Sequence, residues 1–593
     1  MSTKILKGGE FLVKETLAED VFIPEEFNEE QQMMAQTCRD FVDTQVIPVI
    51  DQLDNHDREL LAKLMKDAGE LGILGVSVPE EYEGFGQNFV TSMRTAEEMG
   101  SAFSFAVAYS AHTGIGTLPI LYYGTEEQKK KYLPKLASGE YIGAYCLTEP
   151  DAGSDANSGK SKAELTADGK HYKVNGVKMW ITNGGVADVL IVFAKIADDK
   201  NLTAFIIDSK TEGVVIGADE EKMGIQGSST TQIYFNDVMV PVENMLGERN
   251  GGFKIALYIL NLGRIKLGAA VIGGAKGILA NSINYASERK QFGKAISSFT
   301  AIQHKLAEMA IQIFAGASLT YRVSQNVDDE KEELIAAGMQ KDKAYIEAIR
   351  QYAIEASIAK VFDSEVLDFV ADEGVQIYGG MGYSAETPVE KAYRDARINR
   401  IFEGTNEINR MVIVGEILKR AFKGEIDLLN PAKEVAKELM GIPDFGSSSM
   451  DYFEEKKKYL LNFKKAILMI SGAALQKYGA KLNDEQELLF NAANMLIYVY
   501  AVESMMLRVE KLSKKYDDKK IALYKDMLDV FVYDTAFKIN KEGLDGINAF
   551  AEGDEKMGML MGIKRFTKVE GVNVVAARRR IAAKLIEDNK YNF

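Results

Sequence analysis

The spacing of apolar and polar positions changes character three times along the chain. Over residues 28–142 it is helical. Glu29 to Val49 carries amphipathic spacing that stops near Pro48, and Leu60 to Leu74 repeats apolar residues at helical intervals before Gly72 and Gly75. Glu126 to Leu136 reads as a short amphipathic helix whose Lys129-Lys130-Lys131 run makes a solvated face. From Ile142 to about Leu246 the apolar runs become short and β-branched, with turn residues between them. Tyr172 to Val177 reads as a strand entering a turn at Asn175-Gly176, and Val189–Phe193, Thr203–Ile207 and Thr231–Phe235 as further strands. Several short strands at regular spacing predict a small sandwich or barrel.

Helical periodicity returns from Gly252 to about Lys423. Leu257, Leu260, Leu267, Val271 and Ile278 fit one face there, which predicts a bundle of roughly four or five helices. The stretch Gln376-Ile-Tyr-Gly-Gly-Met-Gly-Tyr383 interrupts it. Pro443 to Ser449 reads as a linker, and Tyr452 to Phe593 as helical again. The stripe Leu489, Ala492, Leu496, Val499, Val502, Met506 and Val509 reads as core. The expected fold is α+β and mainly α: an N-terminal helical domain (1–143), a β-barrel or sandwich domain (144–250), a four-helix-type bundle (251–425) and an extra C-terminal helical domain (445–593). Strands and helices do not alternate, so a Rossmann sheet is not expected. Gly379-Gly380-Met-Gly382 lies between helices and lacks the strand-then-helix context of a dinucleotide fingerprint.

Composition narrows the partners. A length of 593 residues is too long for one core, and a net charge of −16 argues against nucleic acid and anionic membranes as main partners. Cys38 and Cys146 lie far apart without metal-ligand spacing, and His56, His112, His171 and His304 do not cluster; no metal site and no disulfide framework are expected. The first residues lack a signal-peptide core, and no run approaches the ~20 apolar residues that span a bilayer, so the protein reads as cytoplasmic.

Four stretches carry candidate chemistry. In Arg400 to Asn409, Glu403 stands beside the apolar Ile401 and Phe402, whose shielding raises a carboxyl pKa. Gly404 permits close approach, and Thr405 suits the N-cap of the following helix. A carboxylate so placed suits abstraction of a proton next to a carbonyl, though an acid at a helix foot also serves as a cap or ion-pair partner. Tyr145 to Ser154 offers the hydroxyls of Thr148 and Ser154 and a turn that exposes backbone N–H groups; it also reads as an ordinary Pro-Gly turn. Trp180-Ile-Thr182 places the single tryptophan beside a hydroxyl, suited to a planar cofactor or to core packing. Arg289 suits a pyrophosphate and Phe292 an adenine, or the two are a surface charge and a buried aromatic.

Taken together, YCLTEPDAGSD, WITN, RKQFGK, QIYGGMGYS and YRDARINRIFEGTNEI resemble the acyl-CoA dehydrogenase family, in that family's order, over roughly residues 30–420. The extra helices after residue 430 and Asn261-Leu-Gly-Arg264 resemble its very-long-chain branch. The resemblance implies FAD as cofactor, a fatty acyl-CoA substrate, an electron-transfer flavoprotein as acceptor and a homodimer or homotetramer. It also leaves open a peripheral membrane contact through the C-terminal helices, where Arg578-Arg-Arg580 is basic. By the resemblance Glu403 is the catalytic base. Tyr145, Cys146, Leu147, Thr148, Gly153, Ser154, Trp180, Ile181, Thr182, Arg289, Gln291, Phe292, Gln376, Gly379, Gly380, Thr405 and Glu407 are matched to FAD contacts, Arg289 and Phe292 toward the FAD of a neighbouring subunit. Ser154, Asn261, Arg264 and Gly404 are matched to the substrate side. Glu407 stands where some members have glutamine. The isovaleryl type carries its base on the bundle helix, at the position of Gly263 here. Two other readings share the fold: an acyl-CoA oxidase that uses oxygen, and a non-catalytic assembly protein.

Overall fold

The computed structural model describes residues 5–440 and 450–593; the expected linker at 443–449 lies outside the described residues. The N-terminal part is helical, as the periodicity predicts. Helices start on polar caps: the Asn28 side chain accepts from the Gln31 N–H, Asp57 from Leu60 and Thr125 from Gln128. The first of them, Glu29–Phe41, continues as a π-turn over Val42–Val46 and runs on past Pro48 to Leu53, so Pro48 bends this segment without ending it. Lys129 is not solvated as expected. It is buried and its Nζ donates to Asp342 Oδ2 at 2.6 Å.

The central part holds β1 (Gly143–Cys146), β2 (Lys162–Leu165), β3 (His171–Ile181), β4 (Val189–Ile196), β5 (Thr203–Asp208), β6 (Val214–Asp219), β7 (Thr231–Pro241) and β8 (Met245–Leu246). They pair in the order β6-β7-β3-β2-β4-β5-β8, with β1 parallel to β4. The expected turn at Asn175-Gly176 is not there. β3 runs straight through both residues and pairs with β7 on either side of a register shift. Gly176 answers a close approach: a Cβ there would lie 2.2 Å from Ser161 Oγ. Asn175 reaches the facing strand, where Asp237 N donates to its Oδ1 at 2.8 Å.

The bundle is built on three long helices, Gly252–Glu288, Thr300–Ala336 and Ala353–Tyr378, closed by Asn406–Phe422. Gly252–Glu288 crosses the N-terminal helix Phe89–Met99 so closely that Cβ atoms on Gly100 and Gly273 would lie 1.8 and 1.7 Å from opposing carbonyl oxygens. Two helices, Gly252–Glu288 and Gln486–Ser513, are long and apolar enough to cross a membrane, contrary to the sequence reading; both are largely buried among their neighbours. The basic residues 578–580 are partly paired within the chain. Arg578 bonds Glu308 and Asp534, and Arg580 bonds Asp526.

The C-terminal helices dock through buried charge. Glu503 is 2 % exposed and accepts from Arg322 of the bundle at 2.9 Å and from Lys464 at 2.6 Å. Burial works against its charge, yet Lys464 and Arg322 together hold the carboxyl below the ordinary glutamate range. Removing the anion leaves two buried cations uncompensated. Glu503→Leu is expected to cost about 3–5 kcal/mol, read by denaturant unfolding, and to expose the C-terminal helices to limited proteolysis.

Candidate active site

The N-terminal helices, the β part and the bundle meet at a cleft of about 1420 Å³. The long helix Gly252–Glu288 forms its floor from Phe253 to Asn281. Glu403 projects from the loop before Asn406–Phe422, opposite that floor. Its Oε2 is buried and has no partner among the described residues. On the floor helix, a Cβ on Gly263 would lie 2.9 Å from Oε2. A side chain at 263 and the carboxyl at 403 therefore compete for the same space.

The loop is held by its backbone. Glu403 is left-handed at φ 58°, strained for a residue with a Cβ, and Gly404 follows at φ 79°. Arg264 Nε donates to the Glu403 carbonyl at 3.2 Å, and Lys360 Nζ to the Gly404 carbonyl at 2.7 Å. Asn409 Nδ2 donates to the Gly404 and Thr405 carbonyls at 2.7 and 3.1 Å. Neither cation reaches the carboxylate itself within ion-pair distance. Thr405 caps the helix as expected, its hydroxyl accepting from the Ile408 N–H at 3.2 Å. Burial pushes the Glu403 carboxyl up to about 7, with Arg264 and Lys360 pulling the other way. Burial also brings Arg264 down to about 10 and Lys360 down to about 7. Of the two apolar neighbours expected to shield the carboxyl, Phe402 lines the cleft while Ile401 is 46 % exposed.

The other predicted residues divide into two groups. Tyr145, Leu147, Thr148, Gly153, Ser154, Trp180, Ile181 and Thr182 line the cleft with Arg264, Glu403 and Gly404. The Tyr145 hydroxyl, like Glu403 Oε2, is buried without a partner among the described residues. Trp180 is 53 % exposed and left-handed at φ 60°, which removes the core-packing alternative and presents its ring to the cleft. Nothing lies within 4 Å of a Cβ built on Gly153. Cys146 and Asn261 are buried outside the lining: Cys146 packs in the β core, and Asn261 Oδ1 accepts from Arg264 Nη1 at 2.7 Å.

Arg289, Gln291, Phe292, Gln376, Gly379, Gly380 and Glu407 are exposed and do not line the cleft. The first six gather at one outer corner. Tyr285, one turn before Arg289, stacks on Tyr378, just before Gly379, with ring centroids 3.9 Å apart. Phe292, at the tip of a hairpin, is 93 % exposed. The alternative of a buried aromatic at 292 does not hold.

Sequence reasoning missed three supports. Lys178 and Glu149 form a buried pair at 2.7 Å, and Glu149 also accepts from the Lys160 and Ser161 N–H groups. This pair fixes the 145–154 loop against β3. A lysine on the inward face of a strand was the available signal. The third is Lys360, a cation between the apolar pairs Ile358-Ala359 and Val361-Phe362.

Comparison with known proteins agrees with this geometry. Acyl-CoA dehydrogenase N-terminal, middle and C-terminal domain models match residues 28–140, 144–238 and 250–418, and a further C-terminal domain model matches 462–565. A probable acyl-CoA dehydrogenase of Bacillus subtilis is 43% identical over 99% of this chain and 98% of its own. The bovine mitochondrial very long-chain specific acyl-CoA dehydrogenase is 38% identical over 75% of this chain and 70% of its own. The crystal structure of an acyl-CoA dehydrogenase complexed with FAD from Bacillus anthracis superposes with a TM-score of 0.96 at 44% identity, covering 99% of this chain and all of that one. The open wall at Gly153, the presented indole of Trp180 and the unpartnered Tyr145 hydroxyl fit a flat, polar-edged cofactor. The chain belongs to the acyl-CoA dehydrogenase family and is a FAD-dependent enzyme of it.

Proposed function

We propose that this enzyme oxidises a fatty acyl-CoA thioester between Cα and Cβ to the trans-2-enoyl thioester, with Glu403 taking the α proton. The observation that carries the reading is the Glu403 carboxyl, its Oε2 buried and unpartnered among the described residues, raised to about 7 and facing the floor of the cleft. A base near the working pH combines a useful ionised fraction with useful proton affinity. FAD, when bound, supplies the acceptor for the β hydride. The Glu403 N–H makes no hydrogen bond among the described residues, so it is free to meet the thioester oxygen where negative charge develops. Because Arg264, Lys360 and Asn409 hold the carbonyls of this loop, the N–H and the carboxyl are aimed together.

The remaining assignments follow the two groups. Tyr145 through Thr148, Gly153, Ser154 and Trp180 through Thr182 hold the flavin end, with Thr405 and Glu407 near the loop. Arg289, Gln291, Phe292, Gln376, Gly379 and Gly380 sit too far out for the same cofactor end. Their exposure at one corner supports contact with FAD across a homodimer or homotetramer. Ser154, Arg264 and Gly404 border the acyl thioester, and Asn261 acts through Arg264. The cleft follows the floor helix over a length of roughly 40 Å at 1.5 Å per residue, which favours a long acyl chain. An electron-transfer flavoprotein as acceptor and a cytoplasmic site complete the reading; both cysteines are free and buried. A non-catalytic assembly protein has no use for an unpartnered buried carboxyl at a cofactor cleft.

Glu403→Gln is expected to fold and keep FAD, and to lose about 10²–10⁴-fold in flavin bleaching by acyl-CoA under anaerobic mixing. Undiminished bleaching would refute the assignment. In the native enzyme the bleaching rate should fall as pH drops through about 7, because the carboxyl then carries a proton and cannot accept another. Arg289→Ala should release FAD on gel filtration while leaving the fold intact by circular dichroism; full retention of FAD counts against the shared corner.

A further inference from the structure

Lys360 is fully buried on the helix Ala353–Tyr378 and has no acidic side chain within ion-pair distance among the described residues. Its Nζ donates to the Gly404 carbonyl at 2.7 Å and to Asn406 Oδ1 at 2.6 Å. Asn406 is itself fixed, its Nδ2 donating to Ser364 Oγ and Glu365 Oε1, each at 3.1 Å. A buried ammonium bonded only to neutral oxygens carries a large desolvation cost. The anion available to offset it is the carboxylate of Glu403, adjacent to the carbonyl that Lys360 holds.

We propose that Lys360 is a positioning residue for the reaction: its ammonium fixes the Glu403–Gly404 turn and supplies the counter-charge that keeps Glu403 ionised until substrate arrives. This rests on Glu403 being the base. The charged groups that face Lys360 are Glu403, Arg264, Glu407 and Glu365. Glu403 favours its charged form most strongly, Glu407 and Glu365 act in the same sense, and Arg264 opposes it. Arg264 and Lys360 in turn both favour ionised Glu403. The two groups titrate as a coupled set. When Glu403 takes the α proton, the ammonium loses its counter-charge and holds its own proton less tightly. No atom leaves the pair; the α proton rests on the carboxyl, and Lys360 keeps the loop aimed.

A role in packing alone lowers the amplitude of a pH profile without moving its limbs. The test is therefore the pH dependence of flavin bleaching by acyl-CoA in FAD-loaded protein. Lys360→Gln keeps a donor for the Gly404 carbonyl and removes the charge, so the acidic limb should move up by about one pH unit. Lys360→Arg keeps the charge at any accessible pH, so its acidic limb should stay in place while any alkaline limb due to loss of the ammonium disappears. Both limbs unmoved in both variants overturns the proposal. If the glutamine variant does not fold, the arginine variant decides alone: an alkaline limb that persists unshifted overturns it. Glu403→Gln separates the two readings, since unimpaired bleaching there removes the base assignment, whereas lost bleaching there with unmoved limbs at Lys360 removes only this inference.

Discussion

The proposed reaction centre depends on keeping one strained turn in place. Glu403 occupies a left-handed conformation that a residue with a side chain adopts at a cost of order 1–3 kcal/mol. Three buried donors on three different helices overcome that cost by gripping the carbonyls of residues 403–405. The grip uses charge economically. Arg264 and Lys360 spend their hydrogen bonds on neutral oxygens, so the carboxylate feels two cations without being neutralised by either. A direct ion pair would pull the carboxyl into the ordinary acid range and make it a poor base. Backbone clamping separates the placing of the acid from the setting of its proton affinity.

The same logic of support from behind recurs at the wall proposed to hold the flavin. The 145–154 loop is irregular, exposed in part and rich in residues that prefer turns, yet the buried Lys178–Glu149 pair ties it to β3. On the other side, the Tyr285–Tyr378 stack binds the hairpin after one bundle helix to the glycine turn after another. Residues far apart in the chain are thus brought to a single surface, because the segments that carry them leave their helices next to this stack. Farther out, Glu503 between Arg322 and Lys464 joins the C-terminal helices to the bundle through charge that is satisfied only when the two are together.

Helix and strand order was readable from periodicity because long amphipathic stretches announce themselves locally. The cap at Thr405 was readable for the same reason, and the shielding of the Glu403 carboxyl because an acid in an apolar, glycine-containing setting is uncommon. What failed was non-local. Asn175-Gly176 has the composition of a turn, but the glycine is required by Ser161 across the sheet, which no window around residue 176 contains. Ile401 looks like a shield beside Glu403, yet it lies 46 % exposed at the surface. Lys360 lies 46 residues from Asn406 and 44 from Gly404, partners that only the fold supplies. Lys129 looked solvated because its acid, Asp342, comes from the bundle. Tyr285 and Tyr378 were invisible as a pair for the same reason.

Gly263 has one more meaning, for how this enzyme tolerates change over generations. Its helix is interior and well packed, so an alanine there would improve helix propensity and leave the bundle standing. The added methyl would nevertheless occupy the space of the Glu403 oxygen. With Glu403 as the proposed base, selection for a sturdier fold and selection for turnover pull in opposite directions at this single site. Drift at 263 would be silent in any screen for expression or heat resistance and visible only in the chemistry. Position 263 leaves room for the carboxyl of Glu403, and it does so by what it lacks.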